Sequence, residues 1–165
     1  MISLKIKNIK ELMNELLTGT KFDFLCVSEI QLKTFCTYTI NGHINTGFYS
    51  EEEIAALKDK TFTSWKKLKP VCYNLIKGQT APEYLKITFL LPQENYSSVI
   101  EKSDATLNPD DIQGIYLHLV YEDNSVNVIT STSLNIFSLD KTLDKYWDTT
   151  ITKYLDSSFD VEINQ

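Results

Sequence analysis

An α+β fold, with a largely antiparallel sheet and packed helices, is what this sequence predicts, and three observations predict it. One pattern, a short strand, an amphipathic helix and two alternating strands, runs over residues 2–48 and again over 84–132, an internal strand-helix-strand-strand repeat. The apolar spacing switches between the period of a helix face and the period of a sheet face. A final long amphipathic stretch then closes the chain, so the sheet must be covered on at least one side by the first and last helices. The 165 residues suit a single domain, 1–165, with halves 1–48 and 84–165 joined by a helical segment over 50–78.

Residues 2–6 alternate as a strand does. Asn8 stands as an N-cap with Glu11 three positions on, and Ile9, Leu12, Met13, Leu16 and Leu17 follow one helix face. Gly19 is placed to end this helix in the left-handed conformation. From 24 to 48 the period becomes two. Ile30, Leu32, Cys36, Tyr38 and Ile40 share a face, Asn41-Gly42 reads as the hairpin turn, and 43–48 as the returning strand. Ser50 and Glu53 form a capping box for a short helix carrying Ile54 and Leu57. A further helix covers 64–77, with Trp65, Leu68, Cys72, Leu75 and Ile76 on one side. Pro70 either kinks it or opens a second piece, and Gly78 ends it.

The second half opens with a strand over 84–91, stopped by Pro92, and a helix over 94–102. Asn108-Pro109-Asp110-Asp111 has the cap, proline and early acids of a single helical turn. Residues 114–122 and 126–132 form a hairpin across Asp123-Asn124-Ser125. The near-continuous apolarity around Tyr116, His118 and Val120 predicts a strand covered on both faces. The last helix runs over 139–155, capped by Ser138, with Leu143, Tyr146, Trp147, Ile151, Tyr154 and Leu155 on one face. Residues 161–163 add an edge strand.

Composition narrows the function. Hydrophobic residues at 42% and charged residues at 23% are the balance of a soluble globular protein, and no apolar run is long enough for a membrane span. The opening Met1-Ile2-Ser3-Leu4-Lys5 lacks the charged and apolar regions of a secretory leader. Three cysteines, Cys26, Cys36 and Cys72, sit in apolar runs, which predicts reduced, buried thiols and a cytoplasmic location. All 16 cationic side chains are Lys. Without the guanidinium fork the bidentate grip on phosphate and on guanine edges is missing, which argues against nucleic acid as a partner, although biased codon usage gives the same composition.

Charge is uneven. Residues 1–78 carry 11 lysines against 8 acids, net +3, and residues 79–165 carry 5 against 14, net −9. Lys58, Lys60, Lys66, Lys67, Lys69 and Lys77 face one acid, Asp59, within 58–77. This cluster is either a solvated helix face or an attractant for an acidic protein, including the acidic half of a second copy in a homo-oligomer. Lys66, Lys67 and Lys69 are the candidate binding residues in it. His118 is a further candidate, the one near-neutral titrating group that the pattern buries; a half-buried sheet histidine is its ordinary reading. Thr130 and Thr132 complete the set. On a strand they would share a side and could present hydroxyls to a ligand, although Thr is also simply a good strand residue. No catalytic residue, metal ligand set or cofactor motif is assigned.

Two stretches carry a resemblance. Ser64-Trp65-Lys66-Lys67-Leu68-Lys69-Pro70-Val71-Cys72-Tyr73-Asn74-Leu75-Ile76-Lys77-Gly78, and Thr132-Ser133-Leu134-Asn135-Ile136-Phe137-Ser138-Leu139-Asp140-Lys141 continuing to Trp147-Asp148, are similar to the motifs of domain of unknown function 5721. That uncharacterised family belongs to anaerobic Gram-positive bacteria. The resemblance implies a bacterial, cytoplasmic, stand-alone domain and carries over no catalytic role. The resemblance implies that family members often carry Arg where this chain has Lys, so an Arg-dependent role does not transfer. In rhythm, Gly114-Ile115-Tyr116-Leu117-His118-Leu119 and Val126-Asn127-Val128-Ile129-Thr130-Ser131-Thr132 also resemble halves of DNA sliding clamps, although 50–78 has no counterpart there.

Three functions follow as expectations. The first is a non-enzymatic binding or assembly domain. The second is an enzyme with His118, the 130–133 hydroxyls or Asp110 and Asp111 lining a cleft, which requires these groups to gather in one pocket. The third is a clamp-like nucleic-acid accessory protein, its lysines on phosphates.

Overall fold

The period-two segments come together in one sheet. The computed structural model describes residues 1–58, 60–78 and 80–164. In chain order it forms β1 (Ser3–Ile6), α1 (Ile9–Leu17), β2 (Cys26–Lys33), β3 (Thr37–Asn41), α2 (Glu51–Ala56), α3 (Trp65–Ile76), β4 (Tyr84–Leu90), α4 (Tyr96–Ser103), β5 (Ile112–Glu122), β6 (Ser125–Leu134), α5 (Thr142–Phe159) and β7 (Val161–Ile163). The strand order is β3-β2-β4-β5-β6-β1-β7 and every neighbouring pair is antiparallel. The fold is therefore α+β. The two similar runs interleave in the sheet: β4 lies beside β5 of its own run, whereas β1 lies beside β6 of the other.

One sheet face carries the core. Leu4, Ile30, Leu85, Ile87, Leu117, Leu119 and Val128 point from the strands toward Leu12 and Leu16 of α1, Trp65 and Cys72 of α3, and Leu143, Trp147, Ile151 and Leu155 of α5. Phe22, Phe89 and Phe159 stack at centroid spacings of 6.0 and 6.3 Å, and Trp65 meets Phe89 edge-on at 5.4 Å. The buried Trp65 indole also donates from Nε1 to Leu16 O at 3.0 Å, which ties α3 to the last turn of α1. The expected stripes of the first and last helices thus lie on one shared sheet.

The opposite face is open, which corrects the expectation that β5 is covered on both sides. Tyr116, His118 and Val120 are half-exposed there, beside Thr88 and Lys86 of β4 and Ser131 of β6. Their apolar character reflects side chains lying on one another, as Tyr116 and His118 do with centroids 5.9 Å apart, and not a second layer.

Caps place most helix starts where expected. Asn8 accepts from Glu11 N, Ser50 and Glu53 complete a capping box, and Ser64 caps α3, which runs as one helix through Pro70. Asp123 and Asn124, at φ 49° and 55°, make the tight turn between β5 and β6. Several ends differ. The hairpin expected at Asn41-Gly42 turns instead through Thr34, Phe35 and Cys36, so Cys36 leaves the shared face and its thiol is exposed. Residues 43–48 form no returning strand; His43 makes only an isolated bridge to Phe62, and 46–48 are a 3-10 turn. Gly19 does not take the left-handed conformation. Its N–H reaches the α1 carbonyls of Asn14 and Glu15, and a Cβ there would meet Glu15 O at 2.9 Å. Helix α5 starts after Lys141, with Asp140 accepting from Thr142 N, so Ser138 is no cap and 135–141 stay extended or bent. None of the described helices is long and apolar enough to cross a membrane.

Candidate functional site

Strand alternation splits the hydroxyl run of β6. Thr130 and Thr132 face α5, where they donate to Asp148 and Asp144 respectively. Two residues along a strand span about 6.6 Å and four along a helix about 6 Å, so the pairs match in step and fix α5 to β6. Thr130 is fully buried and also accepts from Ile2 N at 2.9 Å. These two candidates are packing contacts between elements.

Ser131 takes the open face, with its Oγ 2.9 Å from His118 Nε2; Thr88 Oγ1 lies 3.5 Å from Nδ1. Burial, and then the neighbouring Lys86, hold the His118 pKa below its ordinary value. The serine and imidazole have the spacing of a nucleophile and its base, but a threonine stands where an orienting acid would be. His118 and Thr130 therefore point to opposite sides of the sheet, and Asp110 and Asp111 lie in a separate turn before β5.

The neutral imidazole has a consequence for stability. As pH falls through about 6.5, the unfolded chain takes up the His118 proton first, while the folded chain still resists it, so stability is lost until the lower folded pKa is passed. Replacing His118 with Gln is expected to flatten this part of the profile, read from urea midpoints between pH 8 and 5. Superimposable profiles would remove His118 from the account.

The candidate lysines diverge along α3. Lys66 is exposed. Lys67 Nζ donates to Tyr49 Oη at 2.7 Å. Lys69 is half-buried, its Nζ 2.7 Å from Asp23 Oδ1 and 2.6 Å from Gly19 O, just past the C-terminus of α1, where a cation is favoured. Asp59, the single acid expected to face the cluster, lies outside the described residues.

The groups that do converge are at one end of the sheet. There β2 and β5 begin and β3, β4 and β6 finish, in the register Cys26 to Leu90, Leu90 to Tyr116 and Ile112 to Leu134. Residues 61–64 lie alongside, with Val27 N donating to Thr63 O at 2.9 Å. Between this segment and the turn after Pro92 is a cleft of about 90 Å³, lined among others by Cys26, Lys58, Lys60, Glu94, Tyr96 and Gln113. Burial pushes the Cys26 thiol up, with Glu94 adding to the effect and Lys60 opposing it, and burial also raises the Tyr96 phenol. Both stay protonated at neutral pH. The cleft therefore offers neutral hydrogen-bonding groups with charge at its lining, and no thiolate.

Large apolar side chains stand exposed outside the cleft: Phe35, in the turn at the far end of β2, and Phe48 are 91% and 80% exposed, and Phe137 and Leu139, on the loop after β6, are 90% and 82% exposed. The loop bearing the last two is tethered: Asn135 N donates to Asp111 O at 2.8 Å, Asn135 Nδ2 to Asp110 O at 2.9 Å, and Ser133 Oγ to the cleft residue Gln113 at 2.6 Å. Among the described residues no three His, Cys, Asp or Glu side chains cluster as a metal site requires.

A family model described as "Family of unknown function (DUF5721)" matches residues 15–162. The chain belongs to this family. The match spans every residue of the cleft and the tethered loop after β6, as the resemblance in the two motifs implied. The family brings no activity to this site. No curated protein and no solved structure matches the chain. Sequence reasoning missed Cys26, Tyr96 and the exposed Phe137 as parts of one site. The available signal was the run Ile136-Phe137-Ser138-Leu139, three apolar residues in four with no helix or strand to bury them.

Proposed function

We propose that the protein is a non-enzymatic binding module that docks a protein partner through the cleft end of its sheet. The observation that carries this reading is the pair Phe137 and Leu139, 90% and 82% exposed on a loop whose start is hydrogen-bonded, through Ser133 and Asn135, to the cleft residue Gln113 and to Asp110. Exposed apolar groups held in place mark contact surfaces, and aromatic anchors supply most of the binding energy in such surfaces. The scatter of His118, Thr130 and Asp110 over different parts of the fold supports binding over catalysis. A bacterial cytoplasm is the setting the reading assumes. Cys26, Cys36 and Cys72 are free thiols there, and Cys36 is exposed.

A photo-crosslinking residue placed at Phe137, in cells that naturally produce the protein, is expected to give a discrete protein adduct. The same residue at Asn127, on the open face, should give none. Equal labelling from both positions, or none from Phe137, would sink the reading.

A further inference from the structure

We infer that the chain pairs with a second copy of itself along β3, so that two sheets join into one; β3 is not part of the cleft lining, and the inference goes beyond the docking reading above. Among the described residues β3 is one edge of the sheet, with β2 as its only strand neighbour. Antiparallel neighbours alternate between facing residues that exchange hydrogen bonds and facing residues that do not. Gly42 N donates to Ser28 O and Thr34 N to Cys36 O, which sets Ile40 and Tyr38 as the bonded partners of Ile30 and Leu32. The N–H and C=O groups of Thr37, Thr39 and Asn41 therefore point away from β2, and all three residues are exposed. Sheet edges are commonly blunted by charge, proline, a bulge or shortness. The other edge, β7, is three residues long and carries Glu162, which meets Lys7. β3 has no such protection: Thr37-Tyr38-Thr39-Ile40-Asn41 is uncharged, lacks proline and pairs with β2 without a register shift.

The residue order selects an identical strand as the occupant. With Thr39 on a two-fold axis, Thr39 faces Thr39 and Thr37 faces Asn41, so each outward N–H and C=O of one copy meets its complement in the other. Between them Tyr38 faces Ile40 twice, an aromatic and β-branched pair of the kind that stabilises sheets, on the side where both already pack on the core. No charge meets a like charge at the seam. The rows through it end on β2, where the register sets Lys33 of one copy in the row of Glu29 of the other. Pairing consumes both β3 edges, so growth stops at the dimer.

Sedimentation equilibrium of the full chain should show a monomer–dimer equilibrium that does not weaken as salt rises, since each copy carries −6 and the seam is uncharged. Thr39→Lys and Thr39→Glu, each alone, should weaken it by about tenfold or more, because like charges then face each other across the axis. Mixing the two variants should restore a one-to-one pair. In a Cys36→Ser background, Thr39→Cys should cross-link to a dimer on mild oxidation, since facing bonded residues lie about 5.5 Å apart, within disulfide reach. Thr37→Cys should not, because its counterpart lies about 14 Å along the seam. A monomer at every concentration overturns the inference. Cross-linking that is equal at both positions, or absent at Thr39→Cys, overturns it by refuting the register. A dimer that both charge variants leave intact overturns it too, by placing the interface elsewhere.

Discussion

Replacing Trp147 with Ala is expected to cost about 3–5 kcal/mol, the range for emptying a buried indole site. For a chain of this size that corresponds to a melting temperature roughly 6–20 °C lower. Trp147 is 3% exposed on the core side of α5 and sits where α5 crosses the sheet. Its Nε1 donates to Tyr116 O at 2.8 Å, so the truncation removes packing and a hydrogen bond between α5 and β5 together. Trp147→Phe separates the two effects. It keeps most of the ring and should cost about 1–3 kcal/mol, from the lost hydrogen bond and the lost volume. Urea unfolding with an unchanged m-value would place the loss in stability and not in a looser native state. A Trp147→Ala protein that melts with the parent would take α5 out of the core and with it the two-layer architecture.

What the sequence made legible follows from which forces act locally. Asn8, Ser50 and Ser64 cap helices within three residues of themselves, so a short window holds both partners and the starts are readable. The stripes of α1 and α5 are readable for a similar reason, since burial of one face repeats along the chain whatever covers it. The β6 hydroxyls are half legible. Alternation says that Thr130 and Thr132 share a side, but nothing local says that the side carries Asp144 and Asp148 of α5. The same limit hid the scatter of the lysines: Lys67 and Lys69 find Tyr49 and Asp23 at separations of 18 and 46 residues. The cleft was the least legible. Cys26, Lys60, Tyr96 and Gln113 come from four segments that only the strand order β2-β4-β5 brings together. Composition still held a trace of it, in the apolar residues of 136–139 that no regular element buries.

A Gly42→Ala variant is expected to be destabilised by about 1–3 kcal/mol or more, as overpacking against backbone commonly is. The reason differs from the one the Asn41-Gly42 pair suggests. Gly42 is not a positive-φ turn residue; it lies against a bulge in β2 between Val27 and Glu29, where its N–H donates to Ser28 O at 2.8 Å. A Cβ at Gly42 would stand 1.8 Å from Val27 O and 2.6 Å from Val27 C, so backbone, which cannot rotate away, must move. Gly42 O in turn accepts from Thr63 N at 2.8 Å, and Val27 N donates to Thr63 O, so any shift spreads to the segment that forms the cleft wall. Amide exchange should therefore quicken at Val27 and Thr63 first. Gly42→Asn distinguishes the two explanations. In a left-handed turn asparagine is tolerated well and would restore most of the loss. Against the Val27 carbonyl it carries the same Cβ as alanine and should be at least as unstable. An asparagine variant close to the parent in urea midpoint would mean that the chain turns at Gly42 after all, and that β3 and the cleft wall are drawn in the wrong place.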